Sequence, residues 1–261
     1  MSIEPHSKGL GLLGQSPPDY RDRMYGAPRV HLETPPDHAD LRTLAATPRI
    51  FDQGQLGSCT ANAANAVVQY VERKDADPDW DRLSRLYTYY YSRVKIGTPL
   101  EDSGALIRDT FDVLAERGTP REKFWPYNIA RFAEEPPALD YRAGQHRAIE
   151  YLSVEDGNEA AMVACLAEGY PFTYGFAVYR SFWDIGADGR WAGVPGTIDG
   201  YHAVDCWGYD FRANAFGFPD GGWVIRNSWS PEWGDDGYFY VPRHYMSVEA
   251  FDCWTVRKVV R

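Results

Sequence analysis

FDQGQLGSCTANAANAVV, residues Phe51 to Val68, places a polar turn containing Gly54 and Gly57 directly before a cysteine and a helical pattern. Ala61, Ala64, Val67, Val68 and Val71 recur at helical spacing, which predicts a helix from about Ser58 to about Arg73. Cys59 then lies in the first turn, where unpaired backbone N–H groups and the positive end of the helix dipole favour a thiolate. Six residues earlier, the Gln53 amide could donate to an oxyanion formed beside that sulfur. A buried structural cysteine is the plainer alternative, since free thiols are commonly buried. The Gly57-Ser58 pair before the sulfur and the flanking glutamine weigh against it. One cysteine decides nothing, so its partners must come from elsewhere in the chain.

The 261 residues are 44% hydrophobic and 15% aromatic, enough for one large domain or two closely packed lobes. A formal net charge of −10 argues against nucleic acid or an anionic membrane as partner. No run approaches the roughly 18 apolar residues of a membrane span. The N-terminal stretch, with one lysine and a broken apolar patch, does not read as a secretory signal. The four cysteines, Cys59, Cys165, Cys206 and Cys253, form no CxxC pair and no Cys/His set with zinc spacing, so neither a metal nor a cofactor is expected. If Cys59 is a free reactive thiol the other three cannot all pair, and a reducing, cytoplasmic setting is the simpler expectation.

Residues 1 to about 46 are rich in Pro, Gly, Asp and Arg, with Pro17-Pro18 and Pro35-Pro36 as punctuation. They read as an extended arm on a folded body, and a surface-packed extension weighs more than an arm covering a cleft. A second helix is predicted over Leu83 to Val94. A third runs from Ser103-Gly104-Ala105 to about Glu116, burying Gly104, Ile107, Phe111 and Leu114 but not Leu106, Asp109 or Val113. Gly118 stops it. Thereafter the chain turns β-like, with strands predicted around 148–154, 171–178, 201–209, 222–227, 237–241 and 254–259 and a short helix at 159–168. A helical half, about 50–145, followed by a β half, about 146–261, predicts an α+β chain with a cleft between two lobes.

A catalytic cysteine needs a base, and the base needs an orienting group. Among His6, His31, His38, His146, His202 and His244, His202 stands out because it opens the β-like run Tyr201-His202-Ala203-Val204 after the turn Asp199-Gly200. An orienting group lies in VIRNSWSPEWGDDGYFYV, where Asn227 ends a strand ahead of Trp229 and Trp233. An Asn oxygen can accept from one imidazole nitrogen and aim the other at the sulfur. A tryptophan over that hydrogen bond excludes water and strengthens it. A sheet-packed histidine and a turn asparagine with two core tryptophans are the bland alternatives.

These residues together resemble the papain-like cysteine peptidases, over roughly residues 35 to 261. The nucleophile pattern reads Gln53-Gly54-Gln55-Leu56-Gly57-Ser58-Cys59, the histidine pattern His202-Ala203-Val204 with Gly208-Tyr209, and the asparagine pattern Asn227-Ser228-Trp229 with Trp233-Gly234 and Gly237-Tyr238. Asp40-Leu41-Arg42 resembles the start of the family's mature domain. His202 follows Cys59 by 143 residues and Asn227 by 168, the latter stretched by an insertion such as Ala213 to Asp220.

The resemblance implies a two-lobed α+β fold, with a helical lobe and an antiparallel, barrel-like β lobe, and the site in the cleft between them. It implies an extension over residues 1–36 ahead of a peptidase domain over 37–261. It also implies acyl transfer on peptide or protein substrates: Cys59 attacks, His202 protonates the leaving amine, Asn227 holds the imidazole, and Gln53 with the Cys59 N–H stabilises the oxyanion. A peptide ligase or transpeptidase using the same acyl-enzyme, and a non-catalytic peptide-binding relative, are the alternatives. Ser58, Ser103, Gly104, Gly200, Tyr201, Ala203 and Trp229 would line the substrate groove. Leu56 stands where the family usually has a disulfide cysteine, Thr60 where it has Trp, and Tyr201 where many members have Asp, Asn or a small residue. With no long helical propeptide before residue 35, the arm from Met1 to about Pro36 reads as a short regulatory segment.

Overall fold

A computed structural model describes residues 8–26, 35–75, 82–138 and 146–260. His6 and His31 lie outside them. Helix α1, Cys59–Asp75, is the axis of the molecule: every residue from Cys59 to Glu72 is buried. That run is alanine- and valine-rich because both sides of the helix meet protein. One side packs on strands of the sheet, the other on helices α2, Arg85–Lys95, and α3, Ile107–Glu116. Ser84 caps α2 by accepting the Tyr87 N–H, which satisfies one of the orphan donors of its first turn.

The third helix departs from the periodicity reading. It starts at Ile107, not at Ser103, because Gly104 takes φ +81, a left-handed conformation that ends any helical run. Asp109 and Val113 are buried after all. Ile107, Phe111 and Leu114 face the main core, while Val113 faces a second apolar cluster of Leu56, Leu86, Tyr87, Tyr90 and Trp125. A helix covered on two sides has no single buried stripe for a one-face pattern to find.

The strands are β1 (His38–Asp40), β2 (Arg147–Val154), β3 (Phe172–Tyr179), β4 (Ile198–Asp210), β5 (Gly222–Arg226), β6 (Tyr238–Pro242) and β7 (Phe251–Val260). They form one antiparallel sheet in the order β2-β7-β3-β4-β5-β6, with β1 on β4. Among the described residues the sheet does not close, so the barrel-like lobe is an open α+β sheet. Strand β4 is the long central one, and it carries His202 next to Phe176 of β3 in register. Helix α4, Glu159–Ala167, and the short α5, Tyr245–Glu249, complete the fold.

Among the described residues 8–26 most of the arm is exposed or half-buried, but Gly11, Leu12, Ser16 and Tyr25 anchor it in the interior. Leu12 and Tyr25 belong to the main core, at 5% and 6% exposure. Residues 8–26 run along the seam between helices and sheet. Leu12 bridges Ala105, the Ser16 hydroxyl donates to Asp252 at 2.6 Å, and Tyr25 N–H donates to Ser153 at 2.7 Å.

Candidate active site

Cys59 is the first residue of α1, and the carbonyl of the preceding Ser58 accepts the Asn62 N–H at 3.0 Å. Its sulfur is fully buried, with the backbone N–H groups of Ala203 and Gly11 nearby. Burial pushes the thiol up to about 11, against the opposing pull of those donors. Ala203 follows His202 on β4, so the N-terminal end of α1 faces the strand that carries the imidazole.

His202 is fully buried among Phe176, at 5.9 Å between ring centres, and Trp229, at 5.0 Å. Strand β4 already begins at Ile198, so His202 lies within the strand rather than opening it after a turn, and its ring is walled in by aromatics. Burial drives its pKa down to about 4, opposed by the bond to Asn227. Nε2 lies 2.9 Å from Asn227 Oδ1, which also accepts the Ser228 N–H at 2.8 Å. An oxygen so placed makes Nε2 the donor and leaves Nδ1 as the free base. Nδ1 is buried with no hydrogen-bond partner among the described residues. Burial thus disfavours the charged form of both the thiol and the imidazole.

Gln53 is buried below the same wall. Ser228 Oγ donates to its Oε1 at 2.6 Å, which fixes the amide so that Nε2 points outward. Nε2 donates to the Leu56 carbonyl at 2.9 Å and to the Gly9 carbonyl at 2.9 Å. The arm thus lays one of its own peptide carbonyls on the glutamine amide, beside the thiol. Gly9 N–H donates to Gly54 O at 3.2 Å, Ala105 N–H to Gly11 O at 2.8 Å, Leu12 N–H to Tyr201 O at 3.4 Å and Leu13 N–H to Ala105 O at 3.2 Å. Gly11 is obligatory at this approach: a Cβ there would sit 1.7 Å from Gly57 O.

The groove residues expected from sequence fall into two groups. Tyr201 offers its carbonyl to Leu12 and is 40% exposed, a Cβ on Gly200 would meet Leu10 at 2.9 Å, and Ala203 and Trp229 line the buried wall. Ser58 instead turns its hydroxyl inward, 2.6 Å from Tyr127. The Ser103 hydroxyl faces Thr98 at 2.7 Å, and Gly104 gives its N–H to Tyr89 at 3.1 Å. The strand-like ladder is made by Ala105, one residue further on than expected. Ala105 and the arm residues Gly9 to Leu13 are the contributors that motif reading overlooked, because a backbone ladder leaves no side-chain signature. His38 is exposed beside Asp37, and His146 pairs with Glu72. Cys165, Cys206 and Cys253 are buried and unpaired, like Cys59. Among the described residues no group of three or more metal-ligating side chains occurs, and no helix is long and apolar enough to cross a membrane.

Residues 35–253 match the sequence model of the papain family of cysteine proteases. An uncharacterized peptidase C1-like protein of Acanthamoeba polyphaga mimivirus is 30% identical over 233 residues, covering 84% of this chain and 74% of that protein. A cathepsin B-like protein of Giardia intestinalis is also 30% identical, over 85% of this chain and 75% of its own. Among solved structures, xylellain, a cysteine protease from Xylella fastidiosa, superposes with a TM-score of 0.84 at 33% identity, covering 98% of this chain and 97% of its own. Procathepsin L 3 of Tenebrio molitor larval midgut, at 17% identity and a TM-score of 0.71 over 96% of this chain and 76% of its own, shares the fold.

Proposed function

This chain belongs to the papain family of cysteine proteases, and from that premise we propose that it hydrolyses peptide bonds through Cys59, His202, Asn227 and Gln53. His202 Nδ1 takes the thiol proton and Sγ attacks the peptide carbonyl carbon, forming the C–S bond. The carbonyl oxygen, now an oxyanion, is held by Gln53 Nε2–H and the Cys59 backbone N–H. The imidazolium returns its proton to the amine as the C–N bond breaks. Water, deprotonated by the imidazole, then attacks the thioester and releases the acid and the free thiol. Asn227 keeps the imidazole in the tautomer this cycle needs.

The observation that carries this reading is the Gly9 carbonyl on Gln53 Nε2, 2.9 Å away and beside a helix-terminal thiol. It supports a groove that accepts an extended peptide with a carbonyl presented to both donor and nucleophile. The same contact supports a regulatory role for the arm. In the resting chain residues 9–13 fill the groove, and a substrate must displace them. Turnover of a peptide library by the wild type beside Cys59→Ala tests the assignment. Loss of all cleavage in the variant is expected, and equal cleavage by both would end it.

A further inference from the structure

Two side chains outside the four discussed above join the rim of the groove to the Gln53 amide. Asp102 precedes α3 on an exposed stretch of loop, yet its carboxylate turns inward to the nucleophile loop. Its Oδ1 and Oδ2 accept the Gly57 N–H at 3.0 and 3.1 Å, and Oδ1 also accepts the Tyr89 hydroxyl at 2.5 Å. Tyr89 belongs to α2 and is fully buried, and burial together with its bond to Asp102 holds the phenol far above its usual pKa, so it remains a donor. The same phenol oxygen accepts the Gly104 N–H at 3.1 Å.

From Gly57 the connection continues through a single peptide group. The N–H of the Leu56–Gly57 peptide is held by Asp102, and its carbonyl receives Gln53 Nε2 at 2.9 Å. A peptide gripped at both ends cannot rotate without breaking one bond, and each bond polarises the other. Gln53 is aimed by Ser228 at its oxygen and by the Leu56 carbonyl at one of its two N–H groups. The second N–H is left for the Gly9 carbonyl, or for whatever replaces it.

We propose that Tyr89 and Asp102 are positioning residues for hydrolysis. They lock the Leu56–Gly57 peptide, and so fix the Gln53 N–H that receives the oxyanion, while the same phenol holds the Gly104 rim against the nucleophile loop. Neither touches substrate. This inference rests on the assignment of Gln53 and Cys59 above. Displacing a catalytic group by about 1 Å costs roughly a hundredfold, which bounds the effect, and solvent can reach Asp102 to restore part of what a variant loses.

The test compares two second-order rate constants in the full chain: kcat/KM for a fluorogenic peptide and alkylation of Cys59 by iodoacetamide. Alkylation requires the thiolate but forms no oxyanion. Occupancy of the groove by the arm slows both equally, so their ratio isolates the oxyanion donors. Tyr89→Phe removes one oxygen at constant shape and should lower the ratio about tenfold, with Asp102→Ala lowering it at least as much. Asp102→Asn, which keeps an acceptor oxygen, should recover most of the loss. In a Gln53→Ala background, Asp102→Ala should lower the ratio no further, because both act through one amide. An unchanged ratio in Tyr89→Phe and Asp102→Ala, or full additivity with Gln53→Ala, would overturn the proposal. Absence of turnover that Cys59→Ala abolishes would remove the catalytic assignment itself, an outcome recognised before any Tyr89 or Asp102 variant is made.

Discussion

Gly11→Ala should switch the enzyme on. A Cβ at residue 11 would lie 1.7 Å from Gly57 O and 2.2 Å from its carbonyl carbon, distances no side-chain rearrangement can relieve, since the obstacle is backbone. Either the arm or the nucleophile loop must move. The loop is tied by Gln53 to Leu56 O and by Asp102 to Gly57 N–H, while residues 9–13 are held by five hydrogen bonds and the burial of Leu12. At a net of about 0.5–1.5 kcal/mol each, five such bonds contribute roughly 2.5–7.5 kcal/mol. Burying one leucine adds about 1.5–3 kcal/mol. Ordering five residues costs on the order of 1–2 kcal/mol apiece, about as much as those contacts return, so the closed groove holds by a narrow margin. Losing about 2 kcal/mol of that hold multiplies the open population by roughly thirty, since about 1.4 kcal/mol is a factor of ten. Initial rates on a fluorogenic peptide at a concentration below KM read this directly. A rise in rate is expected, bounded by that roughly thirtyfold shift, with kcat little changed once substrate saturates the open form. Anchors further along, Ser16 on Asp252 and Tyr25 on Ser153, keep the rest of the arm in place, so the melting temperature should fall only slightly. Activity at or below the wild-type level, from chains that mass spectrometry shows to be intact, would refute self-occlusion of the groove.

The pH dependence of thiol alkylation carries the same signature. With Cys59 raised to about 11 and His202 lowered to about 4 by burial, wild-type labelling should climb steeply above neutral pH, and Gly11→Ala should bring its onset down by opening both groups to water. Gln53→Ala should lower kcat by about two to three orders of magnitude while leaving detectable turnover, because the Cys59 N–H remains as the second oxyanion donor; loss as complete as in Cys59→Ala would contradict that division of labour. Asp205, fully buried beside Thr173 and Arg226, has its carboxyl pushed up to about 8 by burial. Its folded pKa lies above the unfolded one, so the folded state holds the extra proton, and stability should fall between about pH 4 and 8 by up to about 1.4 kcal/mol per unit. Asp205→Asn should flatten that slope in denaturant titrations at pH 5 and pH 8, and an unchanged slope would reject the assignment. Finally, an added amine nucleophile should leave acid products dominant; accumulation of amide products would indicate transpeptidation through the same thioester.

How much of this was readable from residues alone depends on whether a feature leaves a mark in side-chain type. The Cys59 helix was legible because its alanines and valines repeat, and His202 and Asn227 because each has conspicuous sequence neighbours, although β4 begins at Ile198 and sets His202 inside the strand rather than after a turn. The order of helical and β halves followed from the same change in period. Helix α3 was misread in its start and in its second face. A positive φ at Gly104 and a covering cluster around Val113 are tertiary facts, invisible to a one-face pattern. The open sheet was equally hidden, since alternation gives faces but not whether the edges meet.

The arm is the instructive case. Its proline- and glycine-rich composition reads as a surface-packed extension, and by composition alone that is the better inference. What qualifies it is that Gly9 and Gly11 have nothing beyond the backbone to offer, which is the property the groove selects. With no Cβ, the chain approaches Gly57 closely enough for one carbonyl to reach Gln53 and another to reach Ala105. A glycine signals freedom in a sequence and contact in a structure, and only the partner decides between them. The groove residue Ala105 is the counterpart of the same problem. It acts through its N–H and C=O, so any residue able to take its backbone conformation could replace it, and no motif could single it out. Side-chain chemistry therefore pointed to the groups we propose to react, while the half of the site we propose to bind peptide is written in main chain and shows itself only where the protein's own residues 9–13 lie across it.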